Sequence, residues 1–346
     1  MKSVEHASFT LTSRDGFPLA GHSWIPPHPK AMVAVIHGLG EHSGRYARFA
    51  RAAAAQNIGV VAIDLRGHGA SFGERTYVDR FSDYLLDADA LMGLARKLAK
   101  GLPLFLMGHS MGGAVAMRWV AERQPDLVGL ILSSAALKIG NDVSKLLINL
   151  APIISRFAPH LRVKKVEPDL ISRDKAEIEA YRKDPLVCHL PTPARTGAEL
   201  LWAIESNRAA ARVQTLPLYL FHGDADLLTD PNGSRELYTL WGCPDKTLRI
   251  WPRSRHEALN DLDRDAVMEE LFAWVDAKVD EKKSADKRGE ERLAAAKVTA
   301  KATKATKTTV TATKAPARRK KAAGKAAATT TAPSSAPSAP AQDDAP

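Results

Sequence analysis

Cysteine is nearly absent from this sequence. Only Cys188 and Cys243 occur in 346 residues. Two distant cysteines make neither a disulfide framework nor a cysteine zinc site, so a reducing compartment is expected. Long apolar runs are also missing. No stretch approaches the roughly 20 apolar residues of a membrane-spanning helix. Met1 to Gly16 mixes charged and polar residues and lacks the apolar core of a secretory signal. A soluble cytoplasmic protein is the expectation. Charge of one sign is scarce over most of the chain. The formal net charge is +10, but Glu281 to Pro346 carries 15 Lys/Arg against 6 Asp/Glu. Nine of the ten net charges therefore sit in the last 66 residues. A nearly neutral 280-residue body argues against a nucleic-acid-binding fold with a basic groove across it. That length suffices for a sizeable core, as one large α/β domain or two small ones.

Apolar runs that could be strands recur along the body. Residues 8–13 and 19–25 flank Asp15-Gly16 and predict a hairpin. Continuous apolar stretches follow at Ala31 to Ile36, Ile58 to Ile63, Pro103 to Met107, Leu127 to Leu132 and Leu216 to Phe221, with a last one at Thr247 to Trp251. Such runs suit a sheet covered on both faces. Helix-like stretches lie between several of them: Arg45 to Gln56, Phe81 to Lys100, Met111 to Arg123, Pro231 to Trp241 and Leu262 to Lys278. This alternation predicts a mostly parallel sheet with right-handed crossovers.

The alternation fails between about Leu137 and Val213, a proline-containing stretch too long for a plain loop. It predicts an inserted lid over 137–213, dividing the core into 1–136 and 214–280. Within it, Leu146, Leu150, Ile153 (or Ile154) and Phe157 recur at helical spacing. The plain expectation is a face packed on the body. The alternative is a greasy wall for a lipid chain, or a flap that touches a membrane. Leu147 and Ile148 widen the apolar surface and lean toward the alternative. From Glu281 onward there are 20 Ala, 10 Thr and 5 Pro and no aromatic residue. That composition buries too little to offset chain entropy, so residues 281–346 are expected to be disordered. The Lys-Ala-Thr triplets at Lys301 and Lys304, and the run Arg318-Arg319-Lys320-Lys321, suit either a polyanion held by counterion release or a solvated extension.

The chemistry centres on Gly108-His109-Ser110-Met111-Gly112-Gly113, placed after an apolar strand and at the start of a helix. That is the setting of a nucleophile elbow, with glycines two residues either side of a serine on a sharp turn. A serine hydroxyl needs a base and an orienting acid. In a parallel sheet the site lies beyond the carboxyl ends of the strands. His256, after the loop Pro252 to Arg255, reaches that edge. His222 stands directly before Gly223 in a turn, and His109 adjoins the serine but points away from it. His256 is therefore the favoured base. Asp224 and Asp226 compete as the acid. Asp226 is favoured as the one able to reach back, and Asp224 is expected to bond its own backbone. The oxyanion donors are assigned to the amides of Met111 and Leu39, the latter within His37-Gly38-Leu39-Gly40. A base near the ordinary histidine pKa predicts activity rising through about pH 6–7.

Five stretches together, HGLGEHSGRY from His37, DLRGHGAS from Asp64, GHSMGG from Gly108, HGDAD from His222 and RHEALND from Arg255, resemble the monoglyceride lipase / lysophospholipase branch of the α/β-hydrolases (serine aminopeptidase S33-like hydrolases). The resemblance spans about residues 8–278. It implies the α/β-hydrolase fold, with helices on both faces of the sheet and an inserted helical cap. It further implies a serine esterase acting on single-chain lipid esters such as monoacylglycerol or lysophospholipid. By that likeness Ser110, Asp226 and His256 match the triad, and Leu39 and Met111 match the oxyanion amides. Glu41, Arg45 and His109 match positions near the substrate head group. No cofactor is expected. No Gly-x-Gly-x-x-Gly follows the first parallel strand, and His37 and His42 do not form a His-Glu-x-x-His helix. The alternative function is a catalytically idle scaffold that presents its basic tail to a polyanion.

Overall fold

The computed structural model describes residues 4–140 and 143–311. Ten strands appear in chain order: β1 Glu5–Thr12, β2 Pro18–Ile25, β3 Ala31–Ile36, β4 Ile58–Ile63, β5 Leu104–His109, β6 Gly129–Ser133, β7 Arg162–Lys164, β8 Thr192–Pro193, β9 Leu218–Gly223 and β10 Lys246–Trp251. The α-helices are α1 Ala47–Ala55, α2 Phe81–Ala99, α3 Met111–Arg123, α4 Lys145–Phe157, α5 Lys175–Lys183, α6 Ala194–Ala210, α7 Pro231–Leu240 and α8 Arg264–Thr311. Eight strands form one sheet in the order β1-β2-β4-β3-β5-β6-β9-β10. In it β2 pairs antiparallel with both β1 and β4, and every other neighbouring pair runs parallel. This is the α/β-hydrolase architecture.

The apolar runs of β3 to β6 are buried along their whole length, because helices cover both faces. Alternation sorts the side chains. Met32, Ala34 and Ile36 of β3 join the layer containing α2 and α3. Val33 and Val35 join the layer of α1 and the first turns of α8. Burying each of the Val, Ile and Met side chains contributes roughly 1.5–3 kcal/mol. The expected strand and helix positions match within three residues, except at the C-terminal end of the chain's last helix.

That helix is where the expectation for the tail needs correcting. Disorder is expected from Glu281, yet 281–311 is helical as the continuation of α8. Side chains from Val267 to Val279 anchor it, whereas every described side chain from Asp280 to Lys297 is exposed. The composition argument concerned tertiary burial. Alanine and lysine carry strong local helix propensity, which needs no core. The chain divides into two compact units, Met1–Arg288 and Gly289–Pro346. The run Arg318 to Lys321 lies outside the described residues. Among the described residues, no helix is long and apolar enough to cross a membrane.

Between β6 and β9, which pair directly, the chain leaves the sheet and builds α4, the small β7–β8 pair, α5 and α6. Here α4 packs on α6, and α6 packs on α3. The stripe expected to pack on the body faces solvent instead: Leu146, Ile153 and Phe157 are 69%, 57% and 79% exposed. The neighbouring face of α4, with Leu147, Ile148, Ala151 and Ile154, is the one turned inward, onto a cavity. Helix α4 is apolar on two faces, so periodicity alone did not select the inner one.

Candidate active site

Ser110 sits at the β5–α3 junction with φ 53° and ψ −121°. For a residue other than glycine that conformation costs of order 1–3 kcal/mol and persists only where the surroundings impose it. The fold imposes it with hydrogen bonds. The Ser110 amide donates to the Ser133 carbonyl at 3.0 Å, and the Ala136 amide donates to the Ser110 carbonyl at 2.9 Å. Glycine is needed on both sides. A Cβ at position 108 would strike the carbonyl of Gly112, and one at 112 would strike the carbonyls of Ile36 and His37.

Asp226 and His256 come together as expected. Nδ1–H of His256 donates to Oδ2 of Asp226 at 2.7 Å, and both residues are buried. Asp226 follows β9 and His256 follows β10, so two neighbouring strand ends bring them to one rim. The backbone holds the carboxylate from its other side, with the Leu228 and Thr229 amides donating to Oδ1 at 2.8 and 3.1 Å. Asp224 does not compete. Its carboxylate accepts from the Arg253 amide, the backbone of the next loop and not its own. Ser110 and His256 line the same cavity. Among the described residues no hydrogen bond joins the Ser110 hydroxyl to His256.

The loop after β3 places Leu39 on that cavity, which Met111 also lines. Neither amide is taken up by a described hydrogen bond. The loop is braced from below. Glu41 accepts from the Gly38 amide at 2.6 Å and from the Tyr46 hydroxyl at 2.9 Å. The Leu65 amide donates to Nε2 of His37 at 2.9 Å, which leaves Nδ1–H to donate to the Gly38 carbonyl at 2.7 Å.

The three residues expected near a head group are brought together, in two different ways. Glu41 and His109 line the main cavity. Arg45 lines a small side chamber of about 20 Å³, whose wall includes Glu41, His109 and Glu257. Arg45 is fixed on both sides. Nη1 donates to Glu41 at 2.8 Å, and the guanidinium grips Glu257 with two bonds of 2.6 and 2.7 Å. Tyr181 of α5 stacks over it at 4.8 Å. Burial opposes the Glu41 charge, but Arg45 and the Gly38 amide outweigh it and hold the carboxyl below its usual range. Burial, aided by His256, pushes His109 down to about 4, so it is neutral. Its Nδ1–H donates to the Ser133 carbonyl at 3.1 Å.

The main cavity has a volume of about 170 Å³. Its lining is mostly apolar, with side chains of α4 and α6, and it includes Ser110, Glu41, His109, Thr229 and His256 among its polar groups. That is the form of a site for a mostly apolar small molecule with one polar end. No group of three or more His, Cys, Asp or Glu placed to hold a metal occurs among the described residues.

Comparison with known proteins decides the family. The family model described as "Serine aminopeptidase, S33" matches residues 27–263. The chain belongs to that family. Within it, the S33 hydrolase falls in the monoglyceride lipase branch of the α/β-hydrolases and is a serine ester hydrolase. It is 32% identical to the monoacylglycerol lipase of Mycolicibacterium smegmatis over 80% of this chain and 99% of the relative. It is 36% identical to the human monoglyceride lipase over 77% of this chain and 89% of that protein. The crystal structure of Paleococcus ferrophilus monoacylglycerol lipase superposes with a TM-score of 0.66 at 27% identity, covering 80% of this chain and 99% of that one.

Three residues of the S33 hydrolase's site escaped sequence reasoning. Glu257, next to His256, closes the buried Arg45 pair from the far side. Thr229 donates its hydroxyl to Asp226 at 2.8 Å. Tyr181 comes from the inserted segment, where no motif marks it. The adjacency of Glu257 to the favoured base was the one available signal, and a charged neighbour in a loop is ordinarily solvated.

The electrostatics of the S33 hydrolase change the expected pH dependence. Burial disfavours a charged His256, but the Asp226 carboxylate, its hydrogen bond, Glu257 and Glu41 outweigh burial and raise the pKa above the ordinary value of 6.5. A general base works only when neutral. With His256 as the base, activity should be lost as pH falls through a midpoint above the ordinary histidine value, higher than the sequence suggested. A kcat/KM profile of a soluble ester between about pH 5 and 9 checks this, and an acid midpoint below 6 contradicts it.

Proposed function

We propose that this hydrolase cleaves single-chain lipid esters, with monoacylglycerol as the best fit, by way of a Ser110 acyl-enzyme. One observation carries the reading. His256, hydrogen-bonded to Asp226 at 2.7 Å, lines the same mostly apolar cavity as Ser110. His256 takes the Ser110 proton as the hydroxyl attacks the ester carbonyl. The amides of Leu39 and Met111 receive the developing oxyanion. Asp226 stabilises the imidazolium, which then protonates the leaving alcohol, and water repeats the steps on the acyl-enzyme. The acyl chain occupies the space under α4 and α6. A small polyol leaving group fits beside Glu41, His109 and the Arg45 chamber.

The segment 137–213 acts in this reading as a cap on a core of 1–136 and 214–280. The exposed stripe of α4 gives it a surface that touches lipid, where a sparingly soluble ester resides. The idle-scaffold reading gives no use to a carboxylate and imidazole paired in this way. The lysine-rich chain after Glu281 adds a separate attachment to a polyanion, carried by its charge alone.

Two substrates test the proposal. The purified protein should hydrolyse monoacylglycerol in phospholipid vesicles and a soluble p-nitrophenyl ester. A variant carrying Ile153→Asp and Phe157→Asp should lose about tenfold or more on the vesicle substrate, from apolar contact given up. It should stay within about twofold on the soluble ester. Failure of the native protein to cleave monoacylglycerol sinks the substrate assignment. Equal loss on both substrates sinks the lipid-contact role.

A further inference from the structure

Asp226 is shared by two histidines. Nε2–H of His222 donates to Oδ2 at 3.0 Å, the same oxygen that accepts from Nδ1–H of His256. His222 ends β9, is fully buried, and is set by Ser234 of α7, whose hydroxyl donates to Nδ1 at 2.8 Å. The Asp226 carboxylate, which can only accept, fixes the tautomer: the proton stands on Nε2, and Nδ1 is left to accept from the Ser234 hydroxyl. The Thr229 hydroxyl is the third side-chain donor to Oδ2.

We propose that His222, held by Ser234, is a positioning residue that shares the Asp226 carboxylate, fixes its rotamer and moderates its pull on the His256 proton. The inference rests on the Ser110–His256–Asp226 reading. Its physical basis is competition for one oxygen. A carboxylate that accepts from several donors is a weaker base toward each of them. Removing the His222 donor leaves Oδ2 more strongly committed to His256. The imidazolium is then over-stabilised, and the base stays protonated to higher pH. The carboxylate also loses one of its side-chain restraints. The other groups facing this pair are His109, whose ring lies 4.8 Å from that of His256, and the charges of Glu257 and Glu41. None of them contacts His222, so their influence is common to native and variant proteins.

Four variants test the proposal in the full-length protein. His222→Leu should lower kcat/KM about ten- to a hundredfold, the cost of a lost hydrogen bond to a charged group. It should also move the acid midpoint upward by about half a unit or more. Ser234→Ala should move the midpoint in the same direction by a smaller step, because the His222 ring then loses the partner of Nδ1 and is held less firmly against Asp226. His222→Gln places an amide donor where Nε2–H stood, so the midpoint should return toward the native value. Thermal melts identify any variant that fails to fold, and Ser234→Ala and His222→Gln carry the test if His222→Leu does. An acid midpoint unmoved in Ser234→Ala, or moved equally by His222→Leu and His222→Gln, overturns the proposal. Ser110→Ala separates the two levels of the account. If it stays active the triad itself is wrong, whereas unmoved midpoints with activity still dependent on Ser110 refute only the role of His222.

Discussion

Replacing Ser110 by Ala should lower kcat on a soluble ester by roughly 10⁴-fold or more. The size follows from what is removed. In the proposed mechanism the Ser110 oxygen is the atom that becomes bonded to the acyl carbon, and the other hydroxyl beside His256, that of Thr229, is turned to Oδ2 of Asp226 at 2.8 Å. What remains is the oxyanion pocket and substrate binding, which act on water alone. The substitution is also a clean one. No described hydrogen bond uses the Ser110 side chain, and alanine carries the same Cβ, so the strain of φ 53° is neither relieved nor increased. The melting temperature should stay within a few degrees of the native one. A variant that keeps a tenth or more of the native kcat removes Ser110 from the chemistry.

Asp226→Asn should lower kcat at neutral pH by a comparable factor of about 10⁴. Asn is nearly isosteric with Asp but presents an N–H₂ group. When that group points at Nδ1 of His256, the imidazole proton moves to Nε2, the nitrogen that must be free to take the serine proton. The pH profile should change sign relative to His222→Leu. Burial holds the His256 pKa down, and Asp226 is the first group that raises it. Without the carboxylate, the residual activity should show an acid midpoint below that of the native protein. Asp226 itself sits well below the usual carboxylate range. Burial opposes its charge, but His256 and the hydrogen bonds from His222 and His256 more than compensate. It therefore stays ionised across the working range. Steady-state kinetics from about pH 5 to 9 on the Asn variant decide the matter; a native-like kcat would show that His256 needs no acid.

The sheet was legible because its strands are buried on both faces. Ala31–Ile36 and Ile58–Ile63 occur with the expected bounds, since six consecutive apolar residues between turn signals leave little freedom. The partners at the site were legible for a topological reason. Asp226 and His256 each follow a parallel strand, and parallel strands deliver their carboxyl ends to one rim. Three things were not legible. In α4, leucines and isoleucines cover two faces, so the side that meets the cavity was not determined by spacing. In 281–311, absence of a core was read as absence of structure, although an alanine- and lysine-rich segment needs no core to be helical. His222 was weighed only as a rival base. Its sharing of Asp226 depends on the way the turn at Gly223 folds Asp226 back beneath it, four residues along the chain, and no periodicity encodes that.

The account depends most on Ser110 being the nucleophile, and covalent capture tests this directly. The protein is incubated with a fluorophosphonate and digested, and the modified residue is located by mass spectrometry. The expected result is one adduct per chain, on Ser110, forming in step with the loss of esterase activity. An adduct on another residue, or complete phosphonylation with activity intact, would contradict it.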